Sequence, residues 1–245
     1  MIGYVLNYAK FALFYDEIMG DRTEDLDQVR ERITKYLPTA TSLLEFGCGT
    51  GALLAGLAGN LKLTGVDQSP EMLAHARARN LPNTTLVQAD MTRFSLGERF
   101  DVAICMFDTL NHLPRFESWL ELFDRAHEHL IEGGLFIFDV NTVGRLRGLG
   151  HQPPYVQDFG GNTLIMNITP SEGDVSIWDV QIFERLGDDD LFRLHQETIL
   201  ELAVPLDKIA DALSAHFDVL ETADLDGGPV SDQSSRVLFA CRHRA

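Results

Sequence analysis

Apolar residues recur along the chain in two rhythms, and the change of rhythm divides the sequence. Residues 7–19 and 23–37 read as two helices. In the second, TEDLDQVRERITKYL, Leu26, Val29, Ile33 and Leu37 fall at helical spacing, acidic residues occupy the first turn, and Pro38 stops it. From residue 42 short apolar runs alternate with helical ones. SLLEF (42–46), KLTGVD (62–67), TTLVQAD (84–90), FDVAICM (100–106) and GLFIFDV (134–140) read as strands, with helices at about 51–59, 70–78 and 116–131. Strands that are apolar on both faces and separated by helices predict a parallel sheet covered on both sides. From about 155 to 204 the helical rhythm stops. NTLIMNIT, DVSIWDVQIFER and LFRLHQETILELAV, with turns at PSEGD and LGDDD, predict an antiparallel meander. PLDKIADALSAHF (205–217) restores a helix with Pro at its start, and DVLETADLD and SRVLFACRH close as strands. The expected organisation is a helical cap over 1–40, an α/β domain over 41–150 and 205–245, and an antiparallel β insertion over 151–204.

Composition narrows the function. The chain has 245 residues, 45% of them hydrophobic, which is ample for a buried core. Its formal net charge of −17 repels a phosphate backbone, and no dense Lys/Arg cluster offsets it, which argues against nucleic acid as a partner. No run of apolar residues is long enough to cross a membrane, and the N-terminus lacks the pattern of a signal peptide. Cys48, Cys105 and Cys241 are few, odd in number and far apart, so they read as reduced thiols of a cytoplasmic protein. No Cys/His/carboxylate spacing suggests a metal.

The chemistry starts at LLEFGCGTG (43–51), where Gly47, Gly49 and Gly51 follow a strand. Such a turn lets a ligand lie against the main chain. Asp67 ends the next strand, where a carboxylate can accept from two ribose hydroxyls. Asp90 ends the third, where a carboxylate can receive the amine of adenine. Gly47, Gly49 and Ala52 also satisfy Gly-x-Gly-x-x-Ala, so NAD is an alternative. Against it, two helices precede the turn, and Asp90 with Gln88 gives the third strand a role that NAD does not require.

LLEFGCGTG, GVDQSPEML, VQADMTRF, FDVAICMFDTLNHL and IEGGLFIFD resemble, in order and spacing, the sequence blocks of class I S-adenosylmethionine-dependent methyltransferases. The resemblance implies a three-layer Rossmann-like α/β fold with a seven-stranded sheet whose last strand is antiparallel. It implies that Glu45 and the backbone of Gly47, Cys48, Gly49 and Gly51 face the methionine part of S-adenosyl-L-methionine. Asp67 would bind the ribose, with Gln68 and Met72 beside the adenosine. Asp90 and Met91 would flank the adenine, and Met106 would lie under the cofactor.

For the methyl acceptor, the polar residues after the fourth strand are Asp108, Asn111 and His112. His112 is the best base by its ordinary pKa, near ~6.5. The reading set against this is a histidine that caps a loop or packs under the next helix. His75, His127 and His129 read as surface residues. The N-terminal segment supplies Tyr8, Phe11, Phe14 and Tyr15, then Arg22. Core packing explains most of the aromatics, yet a sulfonium beside a tyrosine face is favourable, and an arginine can pair the cofactor carboxylate. FALFYDEIMGDR, ICMFDTLNHL and the β-rich insertion further resemble the methyltransferases that N-methylate amino groups of nucleotide-linked deoxysugars. That group implies Tyr15 near the transferring methyl, Arg22 at the cofactor, His112 as base, and an antiparallel platform that forms a homodimer. The chain departs from the group at 107–111, where it reads FDTLN in place of small residues. The expected function is methylation of a small-molecule acceptor at an amine nitrogen. Methylation of a carboxylate, hydroxyl or tRNA, and a cofactor-binding regulator without catalysis, are the alternatives.

Overall fold

The N-terminal helical rhythm survives only in part. The structure, a computed structural model, describes residues 10–187 and 191–244. Within them the single helix expected over 7–19 is a 3-10 turn at Phe11–Leu13 followed by a short helix, α1 (Tyr15–Met19), which ends where Gly20 takes φ +62°. Tyr8 and the start of that expected helix lie outside the described residues. The second helix, α2 (Thr23–Tyr36), matches its pattern and buries Val29.

The alternating region builds the main sheet in chain order. Its elements are β1 (Ser42–Phe46), α3 (Ala52–Leu57), β2 (Lys62–Asp67), α4 (Pro70–Ala78), β3 (Thr84–Gln88), β4 (Phe100–Cys105), α5 (Phe116–His129) and β5 (Leu130–Asn141). A helix the sequence analysis missed, α6 (Val143–Leu149), follows β5. Gly144 and Gly148 hide it from a propensity argument, and Thr142 caps it by accepting the Arg145 N–H at 3.1 Å. The meander is β6 (Tyr155–Phe159), β7 (Asn162–Pro170), β8 (Val175–Arg185) and β9 (Phe192–Leu202), a separate four-stranded antiparallel sheet. Then α7 (Leu206–Leu213) leads to β10 (Phe217–Asp224) and β11 (Arg236–His243). The helix expected over 205–217 stops early because Phe217 is a buried strand residue.

The seven-stranded order is β10-β11-β5-β4-β1-β2-β3. The strands from β3 to β5 pair in parallel, and the last strand, β11, is antiparallel to both its neighbours. The order reverses between β1 and β4, and a crevice opens outside the strand ends at such a point. Side-chain alternation separates two cores. Phe46, Phe136, Phe138 and Phe239 pack with Trp119 and Phe123 of α5 on one face, while Leu43, Leu135, Ile137 and Leu238 pack toward α2 and α3 on the other. The inner face of the insertion sheet puts Leu164, Val180, Ile182 and Ile199 over Phe11, Phe14 and Tyr15.

The segment over 10–19 is fastened to both sheets. The Lys10 and Phe11 N–H groups donate to Glu197 of β9 at 2.8 and 3.2 Å. Asp16 accepts from the Thr50 hydroxyl at 2.6 Å and ion-pairs with Arg79.

Candidate active site

The strand ends of the main sheet, the segment over 10–19 and the inner face of the insertion enclose a cavity of about 480 Å³. Its floor is the turn after β1. Gly47, Gly49 and Gly51 have φ of +68°, +52° and +73°, all left-handed. A Cβ on Gly47 would overlap Thr109 Cγ2, so the turn and the 108–112 segment are in direct contact. A Cβ on Gly49 would meet nothing nearer than Met72 Sδ at 4.0 Å, and Gly49 lines the cavity, so its missing side chain leaves room for a ligand. Gly47 and Cys48 N–H groups donate to the Val66 carbonyl at 2.8 and 3.0 Å, tying the turn to β2.

Asp67, at the end of β2, accepts the Gly49 and Ser69 N–H groups, both at 2.8 Å. Burial raises its pKa and these hydrogen bonds oppose the rise. Asp90 stands two residues past β3, a small correction to the strand expected through it. Its Oδ1 accepts from Thr92 N–H and Oγ1 at 2.9 and 2.8 Å, and no described residue donates to Oδ2. Gln68, Met72 and Met91 complete this end of the wall.

Tyr15, Gly47, Gly49, Asp67, Gln68, Met72, Asp90, Met91 and His112 thus meet in one cavity. Glu45, Cys48, Gly51 and Met106 lie behind it. Glu45 is buried, its Oε2 has no hydrogen-bond partner among the described residues, and burial followed by the charge of Asp67 pushes its carboxyl well above the usual range. Cys48 packs against Gly65, Gly51 caps α3, and Met106 is core. The Arg22 guanidinium sits 4.0 Å over the Phe107 ring and 5.8 Å from the Tyr15 ring, and its Nη2 is buried with no hydrogen-bond partner among the described residues.

The opposite end is built on strained backbone. Phe107 and Asp108, just after β4, both have positive φ, +61° and +51°, which is unusual for a phenylalanine. They lead into a 3-10 turn, Thr109–His112. Asn111, fully buried, holds that turn in place. Its Nδ2 donates to the carbonyls of Asn141 (3.0 Å) and Leu202 (2.8 Å), and its Oδ1 accepts the Asn141 N–H at 2.9 Å.

A carboxylate group surrounds this turn. Asn141 Nδ2 donates to Asp108 Oδ2 at 2.6 Å and to Glu201 Oε2 at 3.0 Å. The Asp108 N–H donates to Asp139 Oδ1 at 3.0 Å, and Asp139 pairs with Arg236 at 2.8 Å. Arg236 also pairs with Asp25. Burial lifts Asp108 and Asp139 to about 6, with Arg236 opposing in both cases. Burial, then the charge of Asp108, pushes Glu201 well above the usual range. His112 is pushed down to about 4 by burial, against a hydrogen bond with the Leu200 backbone, and its Nε2 lies 4.0 Å from Asp108 Oδ1. Tyr15 is pushed up to about 12 by burial, with Arg22 opposing. Both rings are therefore neutral at pH 7.

Sequence reasoning named Asp108 only as a polar neighbour and missed Glu201 and Asn141. Glu201 interrupts the apolar run ILELAV, and that interruption was its only signal. Trp178 of β8 is a wall residue of this cavity. A second cavity of about 350 Å³ shares Asp108, Arg145 and Trp178 with the first, and Glu24, Asp25 and Asp226 also line it. Two histidine expectations change. His129 is buried, and its Nε2 accepts the Leu96 N–H at 3.0 Å. His127 is half-buried and stacks on His216 and His243, at 4.3 and 4.4 Å between ring centroids. No helix among the described residues is long and apolar enough to cross a membrane.

A model described as a methyltransferase domain matches residues 43–134. A protein of Geobacillus sp. (strain WCH70), provisionally named as a methyltransferase, is 30% identical over 97% of this chain and 100% of its own. The dTDP-3-amino-3,4,6-trideoxy-alpha-D-glucopyranose N,N-dimethyltransferase of Streptomyces venezuelae is 33% identical over 53% of this chain and 54% of its own. The solved structure of a sugar N-methyltransferase from Streptoalloteichus sp ATCC 53650 superposes with a TM-score of 0.78 at 27% identity, covering 96% of this chain and 93% of that one.

Proposed function

Because the chain belongs to the class I S-adenosylmethionine-dependent methyltransferases, we propose that its acceptor is a small-molecule amine, methylated at nitrogen, with an amino sugar as the nearest model. S-adenosylmethionine supplies a methyl group already activated on a sulfonium. The residues present fit that group: a glycine turn open where a Cβ would fill it, a carboxylate on β2, and an arginine with an unsatisfied buried nitrogen. In this reading Glu45 and the Gly47–Gly51 backbone face the amino-acid part, and Arg22 pairs its carboxylate. Asp67 holds the ribose, Gln68 and Met72 flank the adenosine, Asp90 and Met91 flank the adenine, and Met106 supports them from the core.

The observation that carries the amine reading is that His112 and Tyr15 both line the cavity that the glycine turn opens into. An amine reaches neutral water mostly protonated, and it must shed a proton before it can attack carbon. A neutral imidazole and a neutral phenol can accept hydrogen bonds from such a group and order it without repelling its charge. With the His112 ring pushed down to about 4, the role of base expected of it from sequence falls to another group. The 27% identical sugar N-methyltransferase, aligned over nearly the whole chain, supports the same acceptor class. The dimethyltransferase match spans only about half of each chain.

The test is S-adenosylhomocysteine formation with three acceptor pools: amino sugars and small amines, small carboxylic acids, and bulk tRNA. Turnover in the amine pool, reduced by His112→Ala and Tyr15→Phe, is expected. Turnover confined to acids or tRNA overturns the reading. We also propose a homodimer through the insertion, where Tyr155, Val156, Phe192 and Leu194 are exposed. Equilibrium sedimentation at a monomer mass would refute it.

A further inference from the structure

We infer that Asp108 and Glu201 together form the subsite that binds the acceptor's ammonium group, and that Asp108 takes the proton the nitrogen must lose. This rests on the N-methylation reading above, and it assigns the charge recognition to residues outside that reading.

Three observations carry it. First, the two carboxylates are adjacent and inward. One amide, Asn141 Nδ2, donates to both, and both residues line the larger cavity. Second, each has an oxygen without a donor. Glu201 is 2% exposed, yet its Oε1 meets no hydrogen-bond donor among the described residues. Asp108 Oδ1 has only the His112 Nε2, at 4.0 Å, beyond hydrogen-bond distance. Neither oxygen is sealed from solvent as the bare Glu45 Oε2 is, so each opens onto cavity space, where a water or a ligand's donor can satisfy it. Third, the nearby cations are committed elsewhere. Arg236 pairs with Asp139 and Asp25, Arg22 stacks on Phe107, and Arg145 is an exposed residue on the rim. Arg236 and Arg22 act on Asp108, and Arg145 on Glu201, only through space. No described lysine or arginine ion-pairs with either carboxylate, and a substrate ammonium is the charge that completes the pair. The second cavity meets the first at Asp108, and its lining sets Glu24, Asp25, Asp108 and Asp226 against Arg145 and Arg236, an acidic balance that favours a cationic acceptor there.

The step balances as follows. An N–H bond of the bound ammonium breaks and leaves its electron pair on nitrogen, and the proton passes to the Asp108 carboxylate. The nitrogen lone pair forms the new N–C bond while the bond from that carbon to sulfur breaks toward sulfur. Positive charge returns to nitrogen as it leaves sulfur, so the product is again a cation, now facing Glu201 and a protonated Asp108 that must return its proton to solvent before the next turnover. His112 and Tyr15, both neutral, orient the nitrogen without competing for its charge.

The experiment does not need the acceptor's identity. Sinefungin carries a primary ammonium where S-adenosylmethionine carries its methylated sulfonium, so it extends an ammonium toward the acceptor site, and S-adenosylhomocysteine does not. Titration calorimetry of the full chain with each probe gives the ratio of their affinities. The wild-type protein is expected to prefer sinefungin by about tenfold or more, as for a hydrogen bond between charged groups. The isosteric variants Asp108→Asn and Glu201→Gln should each bring the ratio close to one while S-adenosylhomocysteine still binds, which also shows that they fold. A wild-type ratio near one, or a ratio that neither variant changes, overturns the inference. The N-methylation reading is judged separately, by which acceptor pool turns over.

Discussion

Asn111 offers the strictest test of how the site is held. Replacing it with alanine removes a buried amide that makes three hydrogen bonds, at 2.8 to 3.0 Å, to the backbone of β5 and β9. The truncation leaves one N–H and two carbonyls unpaired in the interior. An orphaned buried group costs about 1–3 kcal/mol. An unpaired carbonyl is better tolerated than an unpaired N–H, so the three together should cost about 3–5 kcal/mol. Against a typical total of roughly 5–15 kcal/mol, that is a large fraction of the fold's stability. Urea unfolding, followed by tryptophan fluorescence and far-ultraviolet dichroism and extrapolated to water, measures it directly. Asn111→Asp keeps the acceptor for the Asn141 N–H but sets an anion against two carbonyls. It should therefore be at least as destabilising near neutral pH, and should recover in acid, where the protonated carboxyl can donate. A loss below about 1 kcal/mol for the alanine variant would show that this amide does not fasten the catalytic turn to both sheets.

Three further outcomes follow from the same geometry. Gly49→Ala places a methyl in the cradle with no near neighbour to displace, so it should cost only about 1–2 kcal/mol of stability for its left-handed backbone, yet weaken S-adenosylhomocysteine binding severalfold or more by calorimetry; unchanged affinity would remove the turn from the cofactor site. Asp108 has a folded pKa raised to about 6, so its contribution to stability is fully present below its ordinary value and is lost as pH rises through about 6. Asp108→Asn should then be more stable than the wild type by about 1–3 kcal/mol at high pH, with the gain gone near pH 4, and equal urea midpoints at pH 8 would refute this. His127 and His243 are held below the usual histidine value, chiefly by burial. Their contribution is full above pH ~6.5 and lost as pH falls below it, so the thermal midpoint should drop between about pH 7 and pH 5.5, and His127→Phe should flatten that slope; an unchanged slope would exclude the stack as its source.

The main sheet was legible because each of its buried strands is a short apolar run bounded by a helix, and that pattern survives without knowledge of neighbours. The cofactor end was legible for a related reason: Gly47, Gly49, Asp67 and Asp90 lie at fixed offsets from strand ends, so sequence spacing stands in for distance. The other end was not. Glu201 reaches Asp108 only because β9 returns from a separate sheet, and Asn141 joins them only because β5 overruns its expected end by one residue. The positive φ at Phe107 has no signal in residue type at all, since phenylalanine is a poor candidate for it. His129 looked like a helix-surface residue because its position on α5 does not reveal that the loop at Leu96 covers it.

The segment over 10–19 is held at one end by the insertion, through Glu197, and at the other by the glycine turn region, through Thr50 and Arg79. It also contributes Phe11, Tyr15, Ile18 and Met19 to the cavity wall. Widening the cavity on that side cannot proceed one sheet at a time. Lifting the segment breaks contacts to both sheets together, so the cofactor end and the acceptor end gain access to solvent in a single event.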